Sequence, residues 1–128
     1  MDWRDLDSFA FGDGPAMADD LAALVLARVK RATCWAASDG ASTGGGNRMV
    51  MLDGSGRPRA ILETVELTQR RFNEVDAAFA YDEGEGDRSL THWQRAHREY
   101  FERQGQFDEA MLLNCKRFRV VEMIGYES

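Results

Sequence analysis

The fold class follows from residues 49–67, MVMLDGSGRPRAILETVEL, because this stretch encodes two β-strands joined by a turn. Residues 49–52 and 60–67 are rich in apolar and β-branched side chains, which favour strands. Residues 53–56, Asp-Gly-Ser-Gly, tolerate positive φ and therefore suit a tight connection. The stretch predicts a β-hairpin.

One carboxylate interrupts the apolar face of the second predicted strand. Strict alternation places Glu63 on the same face as Ile61, Val65 and Leu67. Either Glu63 is a buried polar residue beside a pocket, or the alternation fails in this strand. The first reading makes Glu63 a candidate substrate-binding residue.

The segments around the hairpin predict two main helices and a closing strand. Residues 15–30 carry an apolar stripe that begins after Asp13-Gly14-Pro15, and residues 89–103 repeat apolar side chains at three-and-four spacing. Residues 111–124 form the closing strand or pair of strands. Helices packed against such a sheet indicate an α+β fold.

Composition predicts one soluble unit. The chain has 128 residues, of which 44% are hydrophobic, enough for one core and too few for two. We expect a single domain, 1–128, in the cytoplasm, because no apolar run could span a bilayer and the N-terminal residues do not resemble a secretion signal. Cys34 and Cys115 lack metal-ligand spacing and are expected to be small buried groups, so neither a metal nor a cofactor is predicted.

The negative net charge favours a small ligand over nucleic acid as the binding partner. A net charge of −6 disfavours tight nonspecific binding to nucleic acid, which depends on neutralising phosphates with a basic surface. Basic residues nevertheless cluster at 28–31 and 116–119. If the fold brings these clusters together, they could hold a nucleotide phosphate or a short single-stranded RNA.

Residues 79–90, FAYDEGEGDRSL, indicate a site loop ahead of the second helix. Asp87 and Ser89 are explained as helix-capping residues. Glu83 lies upstream of the capping positions and follows apolar residues, so a partly enclosed carboxylate is expected there. Glu85 is its neighbour across a glycine that permits positive φ.

Lys30 and Thr33 are the partners that would give these acids a chemical role. A threonine hydroxyl attacks an acyl group only when a base takes its proton, and a buried lysine can relay that proton or hold an oxyanion. A carboxylate can then protonate the leaving group. The alternative is structural: a lysine that favours a helix C-terminus and a threonine that begins a strand.

The sequence resembles the ASCH-domain family over most of its length. The matching stretches are FAFGD at 9–13, MADDL at 17–21, KRAT at 30–33, residues 79–90, Trp93, His97, Tyr100-Phe101 and CKRFRVVE at 115–122.

This resemblance implies a PUA-like mixed β-barrel with two main flanking helices. The sequence is similar to those of small family members that deacylate N4-acetylcytidine. These proteins carry a glycine-x-lysine-x-x-threonine motif and a downstream glutamate. Lys30 and Thr33 match this motif, and Glu83 is aligned with the glutamate, with Glu85 as the fallback. Arg28 occupies the position of the motif glycine. A glycine at that position would suit a left-handed helix cap. Other members are linked to ribonuclease activity or RNA binding.

A cytosine-like ring needs a flat slot with aromatic or apolar walls. Phe11, Gly12 and Trp35 are the candidate walls, and the glycine-rich stretch 38–46 is either a lid or a surface loop without a role. The expected partner is a modified nucleoside. The alternatives are an RNA-binding module with ribonuclease activity and a domain that senses the nucleoside without turnover.

Overall fold

The computed structural model describes residues 3–12, 14–39 and 48–124. Short 3₁₀ turns occur at Trp3–Asp5, Ala37–Asp39 and Phe72–Glu74. In chain order the main elements are β1 (Ser8–Ala10), α1 (Pro15–Leu26), β2 (Ala32–Ala36), β3 (Arg48–Leu52), β4 (Pro58–Arg71), α2 (Ala77–Glu83), α3 (Leu90–Arg103) and β5 (Leu112–Met123).

The five strands form one curled sheet, a half-barrel, in the order β1-β3-β4-β5-β2. β1 is parallel to β3, and the other neighbours are antiparallel. β3 and β4 form the predicted hairpin, in which the Asp53 carboxylate accepts hydrogen bonds from the backbone N–H groups of Ser55 and Arg57. The α+β prediction is confirmed.

Strict alternation fails in β4, which is the second of the two alternatives for Glu63. The pairing of β4 with β5 shifts register between Ile61 and Leu62, which are both buried, and again between Thr64 and Glu66. At the second shift Thr64 pairs with Phe118 and Glu66 with Arg117, so Val65 between them is the extra residue of a bulge, and it is 55% exposed. Glu63 instead pairs with arginines on the strands at either side of β4.

Helix α1 ends four residues earlier than the sequence predicts. The N–H of Arg28 bonds to the carbonyl of Val25 and that of Val29 to the carbonyl of Leu24, the two bonds of a Schellman motif. Arg28 occupies the left-handed position of this motif with φ of 64°. Lys30 therefore lies in the connection to β2.

Part of the predicted site loop is helical. Residues Ala77–Glu83 form α2, whose first turn is capped by the Asp76 carboxylate, so Glu83 is the last residue of a helix. The predicted second main helix and closing strand are confirmed as α3 and β5, and Ser89 caps α3 as expected.

Two hydrophobic clusters flank the candidate site. The first packs α2 and α3 against β2 and β5 and contains Phe79, Trp93 and Phe101. The second packs α1 against β3, β4 and β5 and contains Val25 and Phe118. Within the described ranges, no helix has the length and apolar content to cross a membrane. Predictions for Asp13, for residues 40–46 of the glycine-rich stretch and for 125–128 lie outside the described residues.

The left-handed conformation of Arg28 gives a stability prediction. Arg28→Val should lower the free energy of unfolding by about 1–2 kcal/mol, because a β-branched side chain clashes in this conformation. Arg28→Gly should change it by less than about 0.5 kcal/mol, since relief of strain is offset by the greater freedom of glycine in the unfolded chain. Urea unfolding measures both. Ala27→Val, at a right-handed position of the same exposed helix end, is the control. A similar loss of stability in both valine variants would contradict the left-handed conformation of Arg28.

Candidate functional site

A buried lysine is the centre of the candidate site. Lys30 is 2% exposed, and its ammonium lies 3.0 Å from Oε1 of Glu83 and 2.9 Å from Oε2 of Glu85. It also donates to the backbone carbonyls of Ala32, at 2.8 Å, and Glu83, at 3.3 Å. Four oxygens thus surround three ammonium protons, and Lys30 joins the exit of α1 to the end of α2.

The Lys30 ammonium is charged. Burial alone would lower the pKa of Lys30, but the carboxylates of Glu83 and Glu85 outweigh it and raise the pKa above its ordinary value. The sequence allowed the lysine to act as a base or to hold an oxyanion. A lysine that keeps its proton is suited to the second role.

The Glu83 carboxylate is saturated with donors. Oε1 faces Lys30, while Oε2 accepts a 2.6 Å hydrogen bond from the indole N–H of Trp93 and a 3.3 Å bond from the thiol of Cys34. Nε2 of His97 lies 3.3 Å from the same oxygen. Burial raises the pKa of Glu83, but Lys30, His97 and Trp93 outweigh it and hold the pKa well below its usual range. Glu83 is therefore ionised.

His97 is protonated by the same geometry. Its Nδ1 lies 2.9 Å from the backbone carbonyl of Trp93 and its Nε2 faces the Glu83 carboxylate, so both ring nitrogens meet acceptors and both must donate. Burial lowers the pKa of His97, but Glu83 and Glu85 more than compensate and raise it. The ring also stacks on Trp93, with centroids 4.3 Å apart.

These groups line a cavity of about 180 Å³. Most of the residues that the sequence selected line it: Phe11, Gly12, Lys30, Thr33, Trp35, Glu83 and Glu85. Glu63 does not line this cavity, because the bulges turn it toward Arg48 and Arg119. The predicted substrate-binding position of Glu63 is therefore corrected.

Thr33 and Cys34 are adjacent in β2, but only Cys34 contacts Glu83. The ammonium of Lys30 is directed at four oxygens, and the Thr33 hydroxyl is not among them. Burial, followed by the charge of Glu83, raises the pKa of Cys34 well above its ordinary value. Cys34 is thus a protonated thiol, whereas the nucleophilic form of a cysteine is the thiolate.

Sequence reasoning missed three groups that hold Glu83: Cys34, Trp93 and His97. Trp93 and His97 are four residues apart and therefore share a face of α3, but this spacing is also typical of a packed core. The ring of His97 stacks on Trp93 and bonds to its backbone carbonyl, whereas its acidic partner, Glu83, comes from another helix. Cys34 gave no signal, since its partner lies 49 residues away.

Gly84 brings the two halves of the site together. It has φ of 73°, and a Cβ atom built on it would lie 2.5 Å from the carbonyl oxygen of Val29. The backbone N–H of Arg31 donates to the carbonyl of Asp82 beside this contact, at 2.6 Å. The segments that carry Lys30 and Glu83 touch backbone to backbone, which only glycine permits.

This contact predicts a large effect of Gly84→Ala. The variant should lose more than about 1 kcal/mol beyond the cost of placing alanine at positive φ, because the backbone of Val29 cannot yield like a flexible side chain. Gly105→Ala is the matched control, since Gly105 has φ of 70° and open space at the Cβ position. Thermal and urea unfolding of both variants measure the difference. Equal destabilisation would show that the two segments separate easily.

The ion pairs of Glu83 predict a pH dependence. His97 should titrate above its ordinary pKa of about 6.5. Glu83→Gln should lower the pKa of His97, because the charge of Glu83 no longer counteracts the effect of burial. A raised pKa stabilises the fold below pH 6.5, and this contribution is lost as pH rises through the folded-state value. Imidazole NMR titration, with His97→Gln to assign the signal, measures both shifts. An unchanged pKa in Glu83→Gln would contradict the pairing.

Comparison with known proteins identifies the family. A model of the ASCH domain matches residues 7–122. An ASCH domain from Lactobacillus crispatus JV V101 superposes with a TM-score of 0.84 at 33% identity, over 91% of this chain and 79% of that chain. Protein EF3133 from Enterococcus faecalis V583 superposes with a TM-score of 0.82 at 30% identity, over 96% of this chain and 84% of that chain. No curated protein matches the sequence. With its PUA-like α+β fold, the chain belongs to the ASCH-domain family.

Proposed function

We propose that this protein is an amidohydrolase that removes the acyl group from N4-acylated cytosine nucleosides such as N4-acetylcytidine. The observation that carries the proposal is the buried Lys30 ammonium, held between Glu83 and Glu85 at a cavity that Thr33 also lines. The sequence resemblance to the deacylating ASCH proteins supplies the substrate class.

We assign to Lys30 the stabilisation of the acyl oxygen of the substrate. Hydrolysis of an amide develops negative charge on that oxygen in the tetrahedral intermediate, and a preorganised cation in a water-poor site stabilises this charge. Lys30 is buried and charged, and it reaches the oxyanion by giving up one of its four acceptors, of which the carbonyl of Glu83 at 3.3 Å is the most distant. It acts as the oxyanion partner and not as the base.

The two carboxylates take different roles. Glu83 is 1% exposed and holds Lys30, Trp93, Cys34 and His97, so it sets the charge and position of its neighbours. The side chain of Glu85 is 30% exposed and lines the cavity, where it can exchange a proton with substrate or water. We assign proton transfer to Glu85, the fallback acid of the sequence analysis, and an electrostatic role to Glu83.

Thr33 is assigned as the nucleophile. Cys34 is the neighbouring alternative, but its raised pKa leaves it a thiol bonded to Glu83. The Thr33 hydroxyl belongs to a half-buried residue at the cavity and needs only a base to accept its proton. Glu85 lines the same cavity and supplies that base.

The reaction then has two stages. Glu85 takes the proton of Thr33, whose oxygen attacks the acyl carbon while Lys30 holds the oxyanion. Collapse breaks the C–N4 bond, and Glu85 returns the proton to the leaving amine. Water, deprotonated by Glu85, next attacks the threonine ester; collapse breaks the bond to Thr33, which takes the proton back from Glu85, and the carboxylic acid is released. The sum is amide plus water giving amine and carboxylic acid.

The cavity suits a small planar ligand. Its volume of about 180 Å³ is below the roughly 300–1,000 Å³ of pockets for drug-sized ligands, so it fits one acylated ring with the sugar outside. Phe11 and Trp35 supply aromatic walls, and Tyr100 and Phe101 add two more from α3. Stacking against such walls is the usual mode of holding an isolated base.

Release of cytidine from N4-acetylcytidine tests the proposal. Purified protein should turn over the substrate in the presence of a chelator. Lys30→Met should reduce kcat by about 10²–10³-fold and Glu85→Gln by about 10²–10⁴-fold. Thr33→Val should abolish turnover, and Glu83→Gln should also impair it. Chromatography of the products measures these rates, and circular dichroism verifies that each variant is folded.

Two matched controls should retain activity. Thr68→Val removes a buried hydroxyl that has no hydrogen-bond partner, and Thr68 does not line the cavity. Glu66→Gln removes a carboxylate that pairs with Arg117 on the sheet. No turnover by wild-type protein that still binds the nucleoside would favour a sensor over an enzyme. Full activity of Thr33→Val would eliminate the covalent route.

RNA binding remains the second candidate because one observation favours it. Arg28 and Arg31 line a cavity of about 200 Å³ together with Arg119, so the two basic clusters of the sequence meet there. Arg31 and Arg119 are already paired with Asp82 and Glu63, however, and the net charge is −6. Salt-dependent binding of a short single strand, weakened by Arg28→Ala, would support this candidate.

A further inference from the structure

Three metal-ligating side chains from three elements converge beside the Lys30 ammonium. Cys34 comes from β2, Glu83 from the end of α2 and His97 from α3. One ligand atom from each lies within 4.8 Å of the other two. We propose that these residues form a site for a zinc-like divalent cation and that zinc bound there inhibits the enzyme. The inhibition rests on the proposed function, whereas the binding does not.

The donor set selects the class of ion. One thiolate, one imidazole and one carboxylate oxygen form a mixed S, N, O set of the kind that Zn²⁺ accepts in tetrahedral sites. Calcium and magnesium prefer six or more oxygen ligands, so a thiolate does not suit them. All three residues line the cavity, so the fourth position is open to a water molecule or an added ligand.

The protein already orients the ligands. Nδ1 of His97 bonds to the carbonyl of Trp93 at 2.9 Å, which turns Nε2 toward Glu83. A backbone carbonyl on the other ring nitrogen is the usual outer partner of a metal-binding histidine. The indole of Trp93 fixes Oε2 of Glu83, and this oxygen has a second lone pair for an ion.

Zinc would replace hydrogen bonds that point at one oxygen. The thiol of Cys34 and Nε2 of His97 both lie 3.3 Å from Oε2 of Glu83. On binding, Cys34 loses its S–H proton, His97 loses its Nε2 proton, and one Zn²⁺ takes their place. Two positive charges leave and two enter, so the buried site keeps its net charge. Such a neutral exchange avoids leaving an uncompensated charge in the interior.

The same exchange explains the inhibition. A bound ion fills one side of the cavity and draws Glu83 into coordination, so the carboxylate that positions Lys30 is shared with the metal. Zinc and the acylated ring would then compete for one space. The protein would work without metal and stop when zinc enters, and a chelator would restore it.

Cobalt and zinc titrations of the purified chain test the site without any substrate. Co²⁺ should produce a thiolate-to-metal charge-transfer band, and Zn²⁺ should abolish it at one equivalent per chain. Competition with a chromophoric chelator should show at least a 10-fold loss of zinc affinity in Cys34→Ser and in His97→Gln. In weakly buffered solution, zinc binding should release protons, because the thiol and imidazole ligands bind the metal in deprotonated form.

Cys115→Ser is the matched control. Cys115 is the strand partner of Cys34 and is also a free thiol, but it is not one of the three converging ligands. This variant should retain the charge-transfer band and the affinity. Absence of the band in wild-type protein, or its survival in a folded Cys34→Ser variant, would overturn the site. Zinc binding without loss of N4-acetylcytidine turnover would overturn only the inhibition, and binding remains measurable if the protein has no such turnover.

Discussion

The buried ion pair between Lys30 and Glu83 is the interaction on which the site depends. Both side chains are 1% exposed, so each charge has lost its water and requires the other. Removing one partner of such a pair typically costs about 3–5 kcal/mol, because the remaining charge is uncompensated. His97 and Glu85 complete a set of two cations and two anions. Charge neutrality thus joins the α1–β2 connection, α2 and α3, and it sets the protonation states from which any chemistry starts.

Two backbone features bring this pair together. The Schellman turn at Arg28 ends α1 and directs Lys30 inward, and Gly84 lets the end of α2 approach the same connection. A family glycine would adopt the turn at Arg28 without strain, but the arginine does so here and bonds to the carbonyl of Leu26 at 2.8 Å. The turn that presents the lysine therefore forms with arginine at this position.

Local patterns predicted the elements whose signals are local. The hairpin turn, α3 and β5 follow from turn residues and periodicity, whereas α2 was hidden by its seven-residue length and the glycines that follow it. The bulges in β4 arise from pairing with β5, so alternation within β4 alone could not reveal them. Lys30, Glu83 and Glu85 were selected from the sequence as candidates, and the structure brings them into contact. The ring of His97 and the thiol of Cys34 acquire roles only through tertiary contacts.

The long β4–β5 pair has a mechanical consequence. β5 contributes Leu113 and Cys115 to one hydrophobic cluster and Phe118 to the other, and each cluster supplies an aromatic ring to the cavity, Phe101 from the first and Phe11 from the second. The cavity therefore lies between two hydrophobic clusters that share one long strand pair, β4–β5. Within the described residues, both clusters contain side chains of β5, which is paired with β4. A displacement of β5 would therefore reach the cavity through both clusters at once.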